Sequence, residues 1–308
     1  MATPDVSELI TQASTATAKI SALSSSSDLS VHYDLSKPIR LHNNETDVVT
    51  ISKFLLLSLP ESIMILLFPS GSIMDINGDE VYDWNNVTDV VVSFDARCLD
   101  YIIDCYSEQI GMLDPSKQNK FIYTADLSTP VATSVQNAVR DQHPTLICLR
   151  EDLDYYVIAP KSLPTESLKP LRLSVGKMLV ENRSVFLGLY SKLNASKSST
   201  ESAEQYLMTM LCTSGFDKNE PWPYRALDSG RTLISSLALK HLQIVDGSDV
   251  TASRLLLFWQ RPARKCWWDH QTMTIPQIED DTANISGLDV KVHIRRVWTL
   301  EISIIGLR

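Results

Sequence analysis

The 308-residue sequence contains no apolar run long enough to cross a bilayer as a helix. Its longest, Phe54 to Phe68, is interrupted by Ser58, Pro60, Glu61 and Ser62, whereas a spanning helix needs about 20 apolar residues. The opening residues, Met1 to Asp5, have neither a basic nor an apolar stretch, so no secretion signal is expected. Cysteine is sparse and odd in number: Cys98, Cys105, Cys148, Cys212 and Cys266 stand apart with no Cys-x-x-Cys pair. That pattern excludes a disulfide framework and predicts free thiols in a reducing compartment. No Gly-x-Gly-x-x-Gly, Gly-x-Ser-x-Gly or His-Glu-x-x-His occurs. A phosphate-cradling loop is also missing, because Val175-Gly176-Lys177-Met178 lacks both the first glycine and the hydroxyl that such loops require. Cys266-Trp-Trp-Asp-His270 is too short to complete a tetrahedral metal site, and Asp75, Asp79, Glu80 and Asp83 read as solvated turn residues. The residues therefore assign no catalytic group, metal or cofactor.

The strongest pattern present is at the C-terminal end. Val290, Val292, Ile294, Trp298, Leu300, Ile302 and Ile304 alternate with Lys291, His293, Arg295, Thr299, Glu301 and Ser303, and Arg296 alone breaks the apolar series. Such alternation marks a strand with one buried face. The plainer expectation is that it closes the chain's own sheet. The sharper one is an arm that crosses to a neighbouring subunit, as exchanged terminal elements do.

Charge is unevenly divided. Through Pro160 there are 9 Lys and Arg against 22 Asp and Glu, and from Lys161 onward 19 against 15, within a net charge of −9. The imbalance fits either a segregated basic surface or two halves that attract each other. Arg254, Arg261, Arg264 and Lys265 alternate with Phe258, Trp259, Trp267 and Trp268, and Arg295 and Arg296 follow on the terminal strand. Cations that hold phosphates beside exposed aromatic faces are what single-stranded nucleic acid uses, so these six cations are the candidate RNA-binding residues. The alternative is that the aromatics are core and the cations simply solvated.

Along the chain, residues 1–28 are expected to be a flexible N-terminal segment, 29–284 one globular domain with a sub-boundary near 162–170, and 285–308 an oligomerisation arm. A small antiparallel sheet is predicted between Leu29 and Phe94, with Ile63 to Phe68 as a core strand and a tight turn at Asn77-Gly78. Helical spacing is predicted for Ala96 to Met112, for Thr129 to Asp141, for Leu171 to Leu193 and for Ala203 to Cys212. It is predicted as well for Gly230 to Val245 and for the stretch from Val250 through Trp259. The resulting fold class is α+β: a mostly helical subunit, a small sheet in the N-terminal third and an extended C-terminal arm.

Four segments carry a resemblance. Ser30 to Ser36, Ser52 to Ser62, Asp75-Ile-Asn-Gly-Asp79 and Val91 to Arg97 together resemble the N-terminal region of the viroplasm matrix proteins of fijiviruses, which are plant reoviruses. The resemblance implies a nonstructural scaffold of host-cytoplasmic viral inclusions. Such a scaffold dimerises through its C-terminal arm, builds octamer-like rings, binds single-stranded RNA and recruits other viral proteins, away from membranes. ATP hydrolysis is credited to some relatives, and no Walker motif here supports it. A capsid protein and an NTPase with an inter-subunit site are the rival expectations.

Overall fold

The computed structural model describes residues 34–43, 47–122, 143–161, 163–190, 203–242, 262–276 and 287–307. The predicted flexible segment and the helices expected at 129–141 and 250–259 lie outside these residues. Among the described residues there are eight strands and five α-helices, beside a helical turn at 187–190, and strand outweighs helix, so the chain is not mostly helical.

The N-terminal unit is built on three strands, β1 (Pro38–Asn43), β2 (Val48–Ser52) and β3 (Asp89–Val92), in the order β2-β1-β3. β1 is antiparallel to β2 and parallel to β3, so the sheet is mixed and not purely antiparallel. Pro38 sits at the first position of β1, where its missing N–H costs no interior ladder bond. Two short helices follow β2, α1 (Lys53–Ser58) and α2 (Glu61–Leu67). The side chain of Ser52 accepts from the Leu55 N–H and starts α1, while Leu59-Pro60 ends it. The run Ile63 to Phe68, expected as a strand, is mostly α2. It is apolar on nearly every side because it packs between the two units, and periodicity cannot separate a buried helix from a buried strand at that length. Asp75 accepts from the N–H groups of Asn77 and Asp79, and Gly78 takes φ +87°, which gives the expected tight turn. Helix α3 (Ala96–Gly111) begins at Asp95, whose carboxylate accepts from Arg97 and Cys98, and it buries Leu99, Ile102 and Tyr106.

The second unit is a five-stranded antiparallel sheet in the order β5-β6-β4-β8-β7. Its strands are β4 (Thr145–Ile158), β5 (Tyr224–Asp228), β6 (Leu233–His241), β7 (Ala263–Ile275) and β8 (Leu288–Ile304). Helices α4 (Leu168–Glu181) and α5 (Ala203–Thr213) belong to this unit. The amphipathic helix expected from Gly230 is β6. That strand is covered on both faces, which erases the alternation by which a strand is recognised. The apolar runs Leu146 to Leu149 and Tyr155 to Ile158, which read in the sequence as two short strands, are one long strand, β4, because the charged run Arg150 to Asp154 between them stays in the ladder.

β8 lies between β4 and β7 of its own chain, so both of its edges are occupied. Val290, Val292, Ile294, Trp298, Leu300, Ile302 and Ile304 are all buried within the molecule. The plainer expectation is the arrangement seen. The crossing arm is corrected, since no ladder edge of β8 is left for a neighbour.

The two units share a core. Leu146, Cys148, Leu237, Leu239 and Ile305 pack with α1, α2 and α3. Glu301 of β8 accepts from the N–H groups of Glu61 (2.7 Å) and Ser62 (2.9 Å). It thereby caps α2, which Pro60 cannot cap with a side chain. β5 ends opposite Leu237, and the open N–H of Leu239 is accepted by the Tyr101 hydroxyl at 2.9 Å.

Candidate functional site

Alternation along β4 sends its charges to opposite faces. Arg150, Asp152 and Asp154 face the N-terminal unit, while Glu151 joins Leu149, Leu153 and Tyr155 on the other side. Each side builds a distinct cluster.

On the first side is a half-open cleft of about 990 Å³ between the sheet and the N-terminal unit. Arg150, Asp152, Asp154, Arg231, Ser235, Arg264 and Arg295 line its floor, and Asn43, Ile65, Phe94 and Asp95 line its wall. Arg150 is ion-paired with Asp152, and Ser235 donates to the same carboxylate at 3.3 Å. Arg295 lies 3.5 Å from Asp154. Burial pushes the Asp154 carboxyl above its usual range, against the pull of Arg295. Arginines and carboxylates in alternating pairs form a surface that recognises a mixed-charge, hydrogen-bonding ligand. Beyond the cleft the same face carries the exposed rings of Tyr156 and Trp268, with centroids 5.8 Å apart.

On the second side, Glu151 is fully enclosed. Arg225 on β5 and Arg296 on β8 each donate to it at 2.9 Å, and so does the Trp298 indole N–H. Arg225 also bonds Ser236 on β6. Burial disfavours the Glu151 carboxylate, but Arg296 and Arg225 outweigh it and hold its pKa below the ordinary value. Burial lowers the Arg225 pKa, partly offset by Glu151. Two guanidiniums on one carboxylate leave an excess positive charge, and the Nε atoms of both arginines are buried without a hydrogen-bond partner. The cluster clamps four strands together and is closed to a ligand. Gly188 makes room for it, since a Cβ there would come within 2.9 Å of the Arg296 Cδ.

The six predicted RNA-binding cations do not form one surface. Arg254 and Arg261 lie outside the described residues. Arg264 and Arg295 are in the cleft, Lys265 points to the opposite face and bonds Glu204 at 2.5 Å, and Arg296 is enclosed with Glu151. Strand geometry splits every adjacent pair of cations across the sheet. It likewise divides Cys266-Trp-Trp-Asp-His270 between two faces. No group of three His, Cys, Asp or Glu able to hold a metal occurs among the described residues. Val175-Gly176-Lys177 lies within α4, with Gly176 against Tyr155 and Leu227, and is no phosphate loop.

Sequence reasoning missed Glu151, Arg225 and the cleft aspartates. A signal existed: Glu151 interrupts the buried face of β4 as Arg296 interrupts that of β8, with opposite sign.

Fold and site together define an α+β protein with a sealed sheet core and an open, charge-paired cleft. The chain belongs to the WHI2-like proteins: it is 30% identical to a WHI2-like protein of Schizosaccharomyces pombe, across 87% of this chain and 88% of that one. It is 24% identical to a protein named "Growth regulation protein" from Saccharomyces cerevisiae, across 84% of this chain and 89% of the relative. An uncharacterized protein of Schizosaccharomyces pombe is 21% identical over 275 residues. No protein-family model and no solved structure matches. These relatives are cellular proteins of yeasts, and no viral protein is among the matches. The fijivirus resemblance is thereby overturned, and with it the viroplasm scaffold and the inclusion-body location. Its segments carry local structure that unrelated proteins share: Ser52 caps α1, Asn77-Gly78 makes a turn, and Asp95 caps α3.

Proposed function

We propose that the protein regulates cell growth as a binding module, with the cleft between its two units as the recognition surface. The observation that supports the growth role is the match to the Saccharomyces cerevisiae growth regulation protein over nearly the full length of both chains. Support for the cleft is its chemistry. Arg150 and Arg295 are paired with Asp152 and Asp154 over an open volume large enough for a peptide side chain or loop, whereas the charges opposite are sealed.

The test is replacement of the yeast growth regulation gene by a gene for this chain. Growth curves and final cell density should return to those of the parent strain. A chain carrying both Asp154→Asn and Arg295→Ala should be expressed at the same level and fail to restore them. Restoration by that variant equal to the unaltered chain refutes the cleft. Failure of the unaltered, folded chain refutes the growth role.

A further inference from the structure

β7 is an edge strand of thirteen residues, and among the described residues it pairs with β8 alone. Exposed edges of that length are normally shortened, bulged, interrupted by proline or heavily charged, because free backbone groups recruit another strand. β7 has none of the first three. Its ladder with β8 runs unbroken from Ala263 to Ile275, and Pro262 and Pro276 stand outside it. Between Cys266 and Ile275 the only charged side chain is Asp269.

The direction of the backbone groups left open among the described residues follows from one bond. Gly287 donates its N–H to the Ile275 carbonyl at 3.1 Å, so Ile275 turns its backbone groups toward β8. Counting by twos, Arg264, Cys266, Trp268, His270, Thr272 and Thr274 turn theirs outward. Those six are also the residues whose side chains are exposed. Trp268, at the centre, is 62% exposed.

We propose that β7 is the self-association edge of this protein, where two copies pair antiparallel about a two-fold axis at Trp268. Two five-stranded sheets then join into one of ten, close to the usual limit of about 10 strands for an open sheet. In this register Trp268 meets Trp268 of the second copy, Cys266 meets His270, and Arg264 meets Thr272. On the other face Lys265 meets Gln271 and Asp269 meets Trp267. No like charges are opposed, and an exposed aromatic gains an aromatic partner. Outward-facing residues pair with one another only in steps of two. A step one way sets Asp269 against Asp269 at a Cα separation of about 4.5 Å. A step the other way sets Trp268 against Cys266 and so loses the ring pair, although it opposes Lys265 to Asp269. A second copy is therefore an occupant whose charges fit the edge, and the register with Trp268 on the axis is the one that also pairs the exposed rings.

Sedimentation of the full chain in reducing buffer over roughly 1–100 µM, the range of an ordinary exchanging dimer, should reach twice 34.5 kDa. Trp268→Lys alters only an exposed side chain and should keep the thermal midpoint while raising the dimer dissociation constant at least roughly tenfold. The register is read by cross-linking. Trp268→Cys in a Cys266→Ser background should form an intermolecular disulfide, because hydrogen-bonded antiparallel pairs sit about 5.5 Å apart at Cα, within disulfide reach. Thr272→Cys in the same background should not, being eight residues from its equivalent. A chain that stays monomeric, as it would if the edge served a different protein, overturns the proposal. So does a dimer unchanged by Trp268→Lys, or a cross-link at Thr272 but not at Trp268.

Discussion

Glu151 holds a buried charge on which three donors converge. It is 1% exposed and accepts from Arg225, Arg296 and Trp298, each at 2.9 Å. Glu151→Gln leaves two buried guanidiniums facing a neutral amide. Removing one partner of a buried ion pair costs about 3–5 kcal/mol, and the amide cannot satisfy all three donors. Arg296→Met acts differently. It keeps most of the side-chain stem, removes a charge whose Nε has no partner, and leaves Glu151 paired one to one with Arg225. Its expected cost is below about 2 kcal/mol, since an apolar residue of similar volume replaces half of a buried pair that carried excess charge. Urea unfolding followed by tryptophan fluorescence would measure both. With domain stabilities of about 5–15 kcal/mol, Glu151→Gln should remove a large share of the total. The double variant should cost less than the sum of the singles, because removing Arg296 lowers the positive charge that Glu151 had balanced. Equal costs for the two single variants, or a Glu151→Gln cost under about 1 kcal/mol, would refute the charge argument.

Three further outcomes are expected. Gly176→Ala should destabilise by about 1–3 kcal/mol in thermal unfolding, because its Cβ would press on the Tyr155 hydroxyl and on Leu227 beneath α4. Glu301 has its pKa raised by burial, partly offset by the N–H groups of Ser62 and Glu61. The folded state therefore binds its proton more tightly than the unfolded chain, and this residue's contribution falls as pH rises above the unfolded value of about 4.3. Glu301→Gln should flatten that part of the stability–pH curve, and an unchanged slope would count against it. Asp89 is held well below the aspartate range by bonds from Arg40, Thr88 and His42. Its contribution is present above the unfolded value near 3.9 and is lost as pH falls through the depressed one. Asp89→Asn should lower the midpoint at pH 7 and converge on the parent in strong acid.

Periodicity made the single-faced elements legible. α3 buries one face and exposes the other, and β8 does so over its first half; the second half of β8, covered on both faces, still reads as a strand because Thr299, Glu301 and Ser303 keep the alternation polar. It failed where both faces are covered. The middle of β6, Leu237 to Leu239, and the run Ile63 to Leu67 of α2 are apolar on adjacent positions, and over so few residues that pattern does not separate strand from helix. The expectation of a mostly helical chain rests in part on β6, and the strand content is under-read at β4, whose central charges make one strand look like two. The cleft was illegible for a different reason. Its charges come from β4, β7, β8 and the β5–β6 turn, far apart in sequence, and only the sheet order brings them together. Reading Arg264 with Lys265, and Arg295 with Arg296, as one basic run overlooked that neighbours on a strand point apart.

The β4–β8 ladder makes the core and the cleft depend on each other. It pairs fourteen residues of β4, with Arg150 opposite Thr299, Glu151 opposite Trp298 and Asp152 opposite Val297. A slip of one residue would carry Arg150, Asp152 and Asp154 into the sealed side and turn Glu151 out to the cleft. Three charges would then be buried where the only complementary groups are two arginines already set for one carboxylate. The charged run in mid-strand, which weakens β4 as a sequence pattern, thus fixes its register. The stability of the Glu151 cluster holds the cleft's arginines and aspartates in their pairs. A variant that loosens the cluster should therefore disturb the cleft without touching it, whereas Asp152→Asn, on the open side, should change the cleft and leave the cluster intact.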